Sequence, residues 1–406
     1  MSDSIAIVGT GMAGARLAEA LVNSGFSGSI TMIGEEPVKA YNRVQLSSLL
    51  TGDKTLDALP LLSDGWYRAN NIRLRCGDPL IQLDTDNLTI TTASGWQRQF
   101  SRIVIATGSR PVVPVILGNS LPGVMSFRTL DDVALMQDFA RQGQRAVVVG
   151  GGLLGLEAAY GLNHLGLDVT VVHNSDNLMN RQLDATAAAM LKKSLEDRGI
   201  SVLTGVRTKS VTGSERADGL MLDNGDWLPG ELVIFATGIS PNVQAFRDSD
   251  LKINRGIVVD DQMHTSIKNI YALGECSEHN NTTVGIVAPI WEQAKVLAET
   301  LLGNAACYRP REHSTQLKVS GIDVFSAGRL NTGSSERNIV ISDPSAGIYR
   351  RLVIENDRLQ AALLFGDKSL CSHYETLISG GQPLGTNANQ LMFSDLAGQD
   401  IVREMK

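Results

Sequence analysis

Two glycine clusters carry residue types and a spacing that can hold a pyrophosphate. Gly9-Thr-Gly11-Met-Ala-Gly14 follows the apolar run Ile5-Ala-Ile-Val and opens a segment of helical periodicity. The chemistry needs this order: a tight turn at Gly9, close backbone approach to a diphosphate at Gly11, and close helix packing at Gly14. Glu35 lies 21 positions beyond Gly14, at the end of the next apolar run, where a carboxylate can accept from ribose hydroxyls. Gly150-Gly-Gly152-Leu-Leu-Gly155 repeats the design, with Glu157 on the helix that follows. Its second strand ends in His173-Asn174 rather than in an acid. A neutral imidazole there meets a hydroxyl and a protonated one tolerates a 2′-phosphate, so NADH and NADPH both stay open; the plainer alternative is a histidine capping the strand end. A lone GxGxxG can also be a glycine turn that merely packs a helix, so the reading rests on its strand and helix context.

The elements around both clusters are legible. Ile5 to Gly9 reads as a buried strand, Ala13 to Ser24 as a helix, and Ser29 to Ile33 as a strand, which is one βαβ unit. A second runs through Arg145-Ala-Val-Val-Val-Gly150, a helix over Leu153 to Leu165 stopped by Gly166, and Asp168-Val-Thr-Val-Val. Gly9 and Gly150 stand 141 positions apart, too far for a solenoid repeat and right for two nucleotide-binding domains. Between them, Leu88 to Thr92 and Gln99 to Ile105 read as antiparallel strands leading into Ala106-Thr107-Gly108-Ser-Arg-Pro. Glu231-Leu-Val-Ile-Phe-Ala-Thr-Gly238-Ile-Ser-Pro is the analogous run, and each Ala-Thr-Gly segment marks a strand end and a domain crossing. From about Pro310 the glycine loops cease and short alternating runs follow: Gln316 to Val319, Asp323 to Ala327, Ile339 to Ile341, Ile348 to Ile354 and Leu359 to Leu364. The expected division is a discontinuous first domain, 1–112 with 238–309, a second domain over 113–237, and a small C-terminal α+β domain over 310–406.

Composition removes several alternatives. The 406 residues are 43% hydrophobic and 19% charged, average for a globular chain. A net charge of −7 argues against a nucleic-acid partner and against an anionic membrane surface, since both need a basic face. Cys76, Cys276, Cys307 and Cys371 lie at least 31 positions apart, so no local dithiol, iron–sulfur or zinc spacing exists and no metal is expected. No window reaches 18 apolar residues, and the run around Ala146 to Leu156 is broken by glycines. Without a signal-peptide pattern at the start, the expected location is the cytoplasm.

The two fingerprints, the paired Ala-Thr-Gly segments and Thr265-Ser-Ile-Lys-Asn-Ile-Tyr-Ala-Leu-Gly274-Glu275 together resemble the FAD-dependent pyridine-nucleotide oxidoreductases over about residues 1 to 305. The resemblance implies a glutathione-reductase-like α/β fold with two Rossmann-like domains. It implies FAD on the first fingerprint, NADH or NADPH on the second, and an acidic residue on the flavin side chain; most members have Gly-Asp where this chain has Gly274-Glu275. The disulfide-reductase branch carries CxxxxC after the first βαβ unit and the peroxidase and oxidase branch a single Cys, whereas positions 41 to 50 read Tyr-Asn-Arg-Val-Gln-Leu-Ser-Ser-Leu-Leu. Thiol redox chemistry by that route is excluded. The segment is similar to the Arg-Pro-x-Leu-Ser-Lys stretch of ferredoxin and rubredoxin reductases, with Ser48 in place of the Lys. Tyr41-Asn-Arg43-Val-x-Leu46-Ser47-Ser48, Leu178-Met-x-Arg181-Gln-Leu-Asp184 and Gly274-Glu275-Cys276 look like the flavin portion of NAD(P)H nitrite reductase large subunits and assimilatory nitrate reductase electron-transfer subunits.

The resemblance implies a free-standing reductase that takes hydride from a nicotinamide and passes single electrons to a nitrate or nitrite reductase catalytic subunit. Rubredoxin, flavorubredoxin or ferredoxin is the alternative acceptor, and a non-catalytic flavin- and NAD-binding redox sensor is the alternative of another class. These 406 residues hold neither a Cys-rich [2Fe–2S] segment nor a sirohaem domain, so nitrite itself is not the expected substrate. The C-terminal domain is expected to supply interface surface, for the partner or for a homodimer. Arg43 and Ser48 are expected beside the flavin and Glu157 beside the nicotinamide, Arg43 alternatively being a salt-bridged loop residue and Glu157 a solvated one. Pro289 is expected to start a helix whose positive end favours reduced flavin. Trp291 shields the flavin edge or packs in the core, and Cys276 is a buried small residue rather than a thiol catalyst.

Overall fold

Runs such as Ile5-Ala-Ile-Val and Val147-Val-Val are apolar on both faces, and such strands are stable only where helices cover both sides of a parallel sheet. Two five-stranded parallel sheets result. The first has the order Ile270–Ala272, Arg102–Ile105, Ser4–Val8, Ser29–Ile33, Arg73–Arg75. The second has Val124–Ser126, Leu232–Phe235, Arg145–Val149, Asp168–Val172, Ile200–Leu203. In each the strand before the glycine cluster lies between its βαβ partner and the strand that runs into Ala-Thr-Gly. The computed structural model describes residues 3–311, 314–319, 321–330 and 337–392.

The chain divides into two compact units, Met1–Val112 with Gly238–Pro310, and Val113–Thr237 with Arg311–Lys406. In the first, Met12–Asn23 and Val287–Leu301 present Leu17, Leu21, Ala294 and Leu297 to a core around Ile5, Ile7 and Ile105. The strands Ser109–Pro111 and Ile239–Pro241, which follow the two Ala-Thr-Gly segments, pair antiparallel. In the second unit, helices Leu153–His164 and Ala185–Glu196 accompany the parallel sheet. Its C-terminal part is a five-stranded antiparallel sheet with helix Cys371–Gly380 packed on it, both burying Phe325, Leu364 and Tyr374.

Three expectations need correction. Gln99 to Ile105 is not one antiparallel strand: Gln97–Gln99 pairs antiparallel with Thr89–Thr92, while Arg102–Ile105 joins the first parallel sheet. The break lies at Phe100-Ser101, where the Ser101 hydroxyl donates to the Ser4 carbonyl (2.7 Å) and turns the chain into the second pairing. Leu88 stands in a left-handed turn (φ 51°) ahead of its strand. Pro289 is the third residue of helix Val287–Leu301 rather than the first. The first four helix N–H groups have no intrahelical acceptor, so proline is tolerated there and does not mark the start.

Candidate functional site

Each glycine loop is built the same way. Gly9 (φ 130°) and Gly150 (φ 126°) take a backbone conformation closed to other residues, and a Cβ on either would lie 2.1 or 2.3 Å from the Ala106 or Ala236 carbonyl oxygen. Those alanines open the two Ala-Thr-Gly segments, so the segment's first task is to bring a backbone carbonyl under the loop. A Cβ on Gly14 or Gly155 would strike the Gly9 or Gly150 carbonyl, at 2.2 and 1.9 Å. Gly11 and Gly152 differ, because a Cβ there meets no atom within 4 Å. Both are N-caps in extended conformation, with no side chain capping the helix and no acid in its first turn. The first-turn N–H groups thus carry their partial positive charge with no capping side chain, beside open space at Gly11 and Gly152, which is what a diphosphate requires. Both loops fit a dinucleotide.

In the first unit Ala106 and Gly274 lie against that loop, and the other predicted residues are held by partners of their own. Gly274 (φ 82°) donates its N–H to Gln293 Oε1 at 2.8 Å, and a Cβ there would come within 3.0 Å of Ala13. Glu275 accepts from the Ser109 hydroxyl at 2.8 Å, and its carboxylate lies 3.8 Å from where Gly108 would carry a Cβ. Asn242 ties the two crossings together: its N–H donates to the Gly108 carbonyl (2.9 Å), and the Thr107 hydroxyl donates to the Asn242 carbonyl (2.7 Å). Glu35 is exposed and both its oxygens face Arg110 Nη2 at 3.2 Å, while Arg110 Nε donates to Asn242 Oδ1 at 2.9 Å. Arg43 pairs with Glu36 and donates to the Tyr41 hydroxyl (2.7 Å), which in turn donates to Glu36 (2.8 Å). Its guanidinium lies 4.8 Å above the Tyr41 ring centre.

Ser47 and Ser48 sit half-buried in helix Leu46–Leu50, and both their carbonyls accept from the Thr51 hydroxyl. Cys276 is fully buried, its thiol facing the Ile105 and Leu273 carbonyls, and burial pushes it above the usual thiol range. That is the inert environment expected of it. Trp291 is half-buried against the core with the Arg16 guanidinium 5.6 Å from its ring centre. Ser109, Arg110, Asn242, Glu36 and Gln293 were missed by sequence reasoning. The Ser-Arg after Ala-Thr-Gly was in view as a signal for two of them; nothing local marked the others.

In the second unit Glu157 is half-buried on helix Leu153–His164, one turn from Gly152. Gly238, which closes the second Ala-Thr-Gly segment, lies in the first unit with φ 120° and open space where a Cβ would stand. His173 is turned into the protein: Nδ1 accepts the Gly151 N–H at 3.2 Å, and Nε2 is buried with no hydrogen-bond partner. Burial pushes the imidazole below its ordinary range, the Asn177 backbone working against it. An acceptor Nδ1 puts the ring proton on Nε2, so the ring is neutral and offers a 2′-phosphate no charge. Among the described residues no cluster of three or more His, Cys, Asp or Glu is placed to hold a metal, and no helix is long and apolar enough to cross a membrane.

Two open loops of this kind, each at the head of a parallel sheet, define a protein of the two-dinucleotide class. The family comparison is more specific: residues 3–296 match the pyridine nucleotide-disulphide oxidoreductases, and the chain belongs to that family, whose members bind FAD and NAD(P)H. Residues 314–382 match the rubredoxin NAD+ reductase C-terminal domain. The chain is 41% identical over 366 residues to the assimilatory nitrate reductase electron transfer subunit of Bacillus subtilis, covering 89% of this chain and 47% of that protein. It thus spans about half the length of that relative. It is 28% identical to the NADH-rubredoxin oxidoreductase of Clostridium acetobutylicum, over 91% of this chain and 92% of that one. A ferredoxin reductase from Rhodopseudomonas palustris has a superimposable fold, with TM-score 0.83 and 25% identity over 90% of this chain and 91% of its own.

Proposed function

We infer that this chain is the flavoprotein of an NAD(P)H-dependent electron-transfer system, with FAD on the loop of residues 9–14, NADH or NADPH on the loop of residues 150–155, and a redox protein as acceptor. The observation that carries the reading is the pair of uncapped helix N-termini behind Gly11 and Gly152, each open where a side chain would stand. FAD, when bound, accepts a hydride and gives its electrons up singly. The chain's own residues bind and orient. First-turn N–H groups hold the pyrophosphates, Glu35 and Glu275 take hydroxyl groups, and Ser109 holds Glu275 in place. Arg43 and Ser48 line the flavin side and Glu157 the nicotinamide side. Arg43 reaches that task already charge-balanced by Glu36, so it orients by hydrogen bonding more than by net charge. Residues 1–112 with 238–309 form the FAD domain, 113–237 the nicotinamide domain and 310–406 the interface domain.

The acceptor is the catalytic part of a nitrate or nitrite reductase, by likeness to the Bacillus subtilis relative. A second reading has rubredoxin as acceptor. It is favoured by the C-terminal match and by a relative similar over nearly its whole length. Anaerobic titration tests the shared claim: NADH or NADPH bleaches the visible flavin bands of the purified protein, and no bleaching by either removes it. Adding each acceptor to the reduced protein then separates the two readings by which one restores the colour.

A further inference from the structure

The two glycine loops superimpose in their backbone hydrogen bonds, and this fixes which residues correspond. Gly9 N–H donates to the Ile33 carbonyl at 2.7 Å and Gly150 N–H to the Val172 carbonyl at 2.8 Å. The next residue along each second strand is Gly34 in one case and His173 in the other, and their N–H groups donate to Arg75 and Leu203, each at 2.8 Å. By register, then, His173 answers to Gly34, Gly151 to Thr10, and exposed Asn174 to Glu35. Side chain and glycine have changed places between the loops. In the first, Thr10 stands on the loop and fills the space over Gly34, where a Cβ would come within 1.9 Å of the Thr10 hydroxyl. In the second, the loop carries glycine, and a Cβ on Gly151 would come within 2.9 Å of the His173 ring and 2.5 Å of a Leu178 methyl.

We propose that His173 is a positioning residue for the second loop: its ring fills from the strand the space that Thr10 fills from the loop, and it holds the Gly151 peptide for the nicotinamide dinucleotide without touching it. The next peptide is held as well, since the Gly151 carbonyl accepts the Met179 N–H at 2.9 Å. Met179 pays for the contact with a left-handed backbone (φ 47°), a conformation that costs a non-glycine residue energy and is kept only where its surroundings impose it. Gly151 is clamped through both of its flanking peptides, the Gly150–Gly151 N–H by an imidazole and the Gly151–Gly152 carbonyl by the backbone of Met179. The adenosine ribose is then read at Asn174, and His173 is not a selector between the two nicotinamide dinucleotides.

The inference rests on the second loop binding NAD(P)H, and its test is a double-mutant cycle in the full-length holoprotein: Gly151→Thr, His173→Gly and the pair together, which rebuilds the first loop's arrangement in the second. Gly151 has no left-handed φ, so threonine is allowed by the backbone. Each single substitution is expected to raise the KM for NADH and for NADPH roughly tenfold, His173→Gly by the loss of one buried contact and Gly151→Thr by collision with the His173 ring, with kcat for ferricyanide reduction within about twofold and flavin content unchanged. The pair is expected to recover KM to within about threefold of the parent, the Leu178 methyl having to move aside. His173→Asn, whose amide oxygen can still accept the Gly151 N–H, is expected to lose less than His173→Ala. Additive losses in the pair overturn the proposal, and so does a His173→Asn or His173→Ala protein whose NADH-to-NADPH preference changes while its total nucleotide affinity does not. If the parent protein is reduced by neither nucleotide, the functional reading fails and this inference with it. A parent that is reduced, with variants that do not couple, sinks the inference alone.

Discussion

Gly9 and Gly11 stand two residues apart and respond oppositely to a side chain. A methyl on Gly9 collides with the Ala106 carbonyl in a left-handed backbone, so Gly9→Ala is expected to destabilise the fold by about 1–3 kcal/mol from strain alone. Gly11 is extended and open, so Gly11→Val is expected to leave the melting temperature of the flavin-free protein within a few degrees and to abolish FAD retention. Recovery of stoichiometrically yellow Gly11→Val protein would contradict the assignment. Gly152→Val is the partner experiment: flavin stays and reduction by nicotinamide is lost. Asp78 illustrates a residue with a purely structural duty. Burial works to raise its carboxyl, but hydrogen bonds from Arg75, the Ser94 N–H, and the Thr92 and Ser94 hydroxyls outweigh that and hold it well below the usual range. A depressed folded-state pKa contributes stability above the unfolded carboxylate's pKa and loses it as pH falls through the folded one. Asp78→Asn is therefore expected to cost stability at neutral pH, and the gap from the parent to narrow progressively as pH falls below about 4 toward the folded-state pKa, measured by urea denaturation at stepped pH. A gap that is constant with pH would refute the charge argument.

At the scale of elements, the N-cap of helix Ala185–Glu196 does more than start a helix. One Asp184 oxygen accepts the Ala187 N–H (3.0 Å), and the other accepts the Tyr349 hydroxyl (2.7 Å) and Arg351 Nη1 (3.1 Å), both from strand Ile348–Glu355. The carboxylate thus joins the C-terminal sheet to the parallel-sheet part of its own unit. Burial raises the Tyr349 hydroxyl pKa, and the bond to Asp184 raises it further, which favours the protonated, donating form. Tyr349→Phe is expected to cost about 1 kcal/mol, and Asp184→Ala more, since it removes the cap as well. Faster amide exchange in strand Ile348–Glu355 in both variants would report the loosening, and equal exchange in parent and variants would rule the anchor out. Elements were largely legible in the sequence. Both βαβ units and the five C-terminal strands could be read from periodicity because apolar residues recur in each at the spacing of its own element. Gln99 to Ile105 misled because continuous polarity and apolarity do not record that the chain changes sheets at Ser101.

Along the whole molecule the chain alternates between the two units: it leaves the first after Val112, returns at Gly238 and leaves again after Pro310. Its exit and return are neighbours, the Val112 N–H donating to the Gly238 carbonyl at 2.9 Å. A chain of residues 1–112 joined by a short glycine linker to 238–310 is therefore expected to fold, bind FAD and ignore NADH. A folded but colourless product would place part of the flavin site elsewhere. By itself the sequence determined the two loops, their strands and helices, and the absence of a thiol pair, because glycine placement and hydrophobic period are local properties with local causes. Only the tertiary structure decided that Arg43 is balanced by Glu36, that Asn242 meets Thr107 and Ser109 meets Glu275, and that the His173 ring turns inward to Gly151. Those partners lie from 7 to 166 positions away along the chain. A side chain's direction and its partner are set by which strands lie side by side, and no local pattern of residue types carries that information.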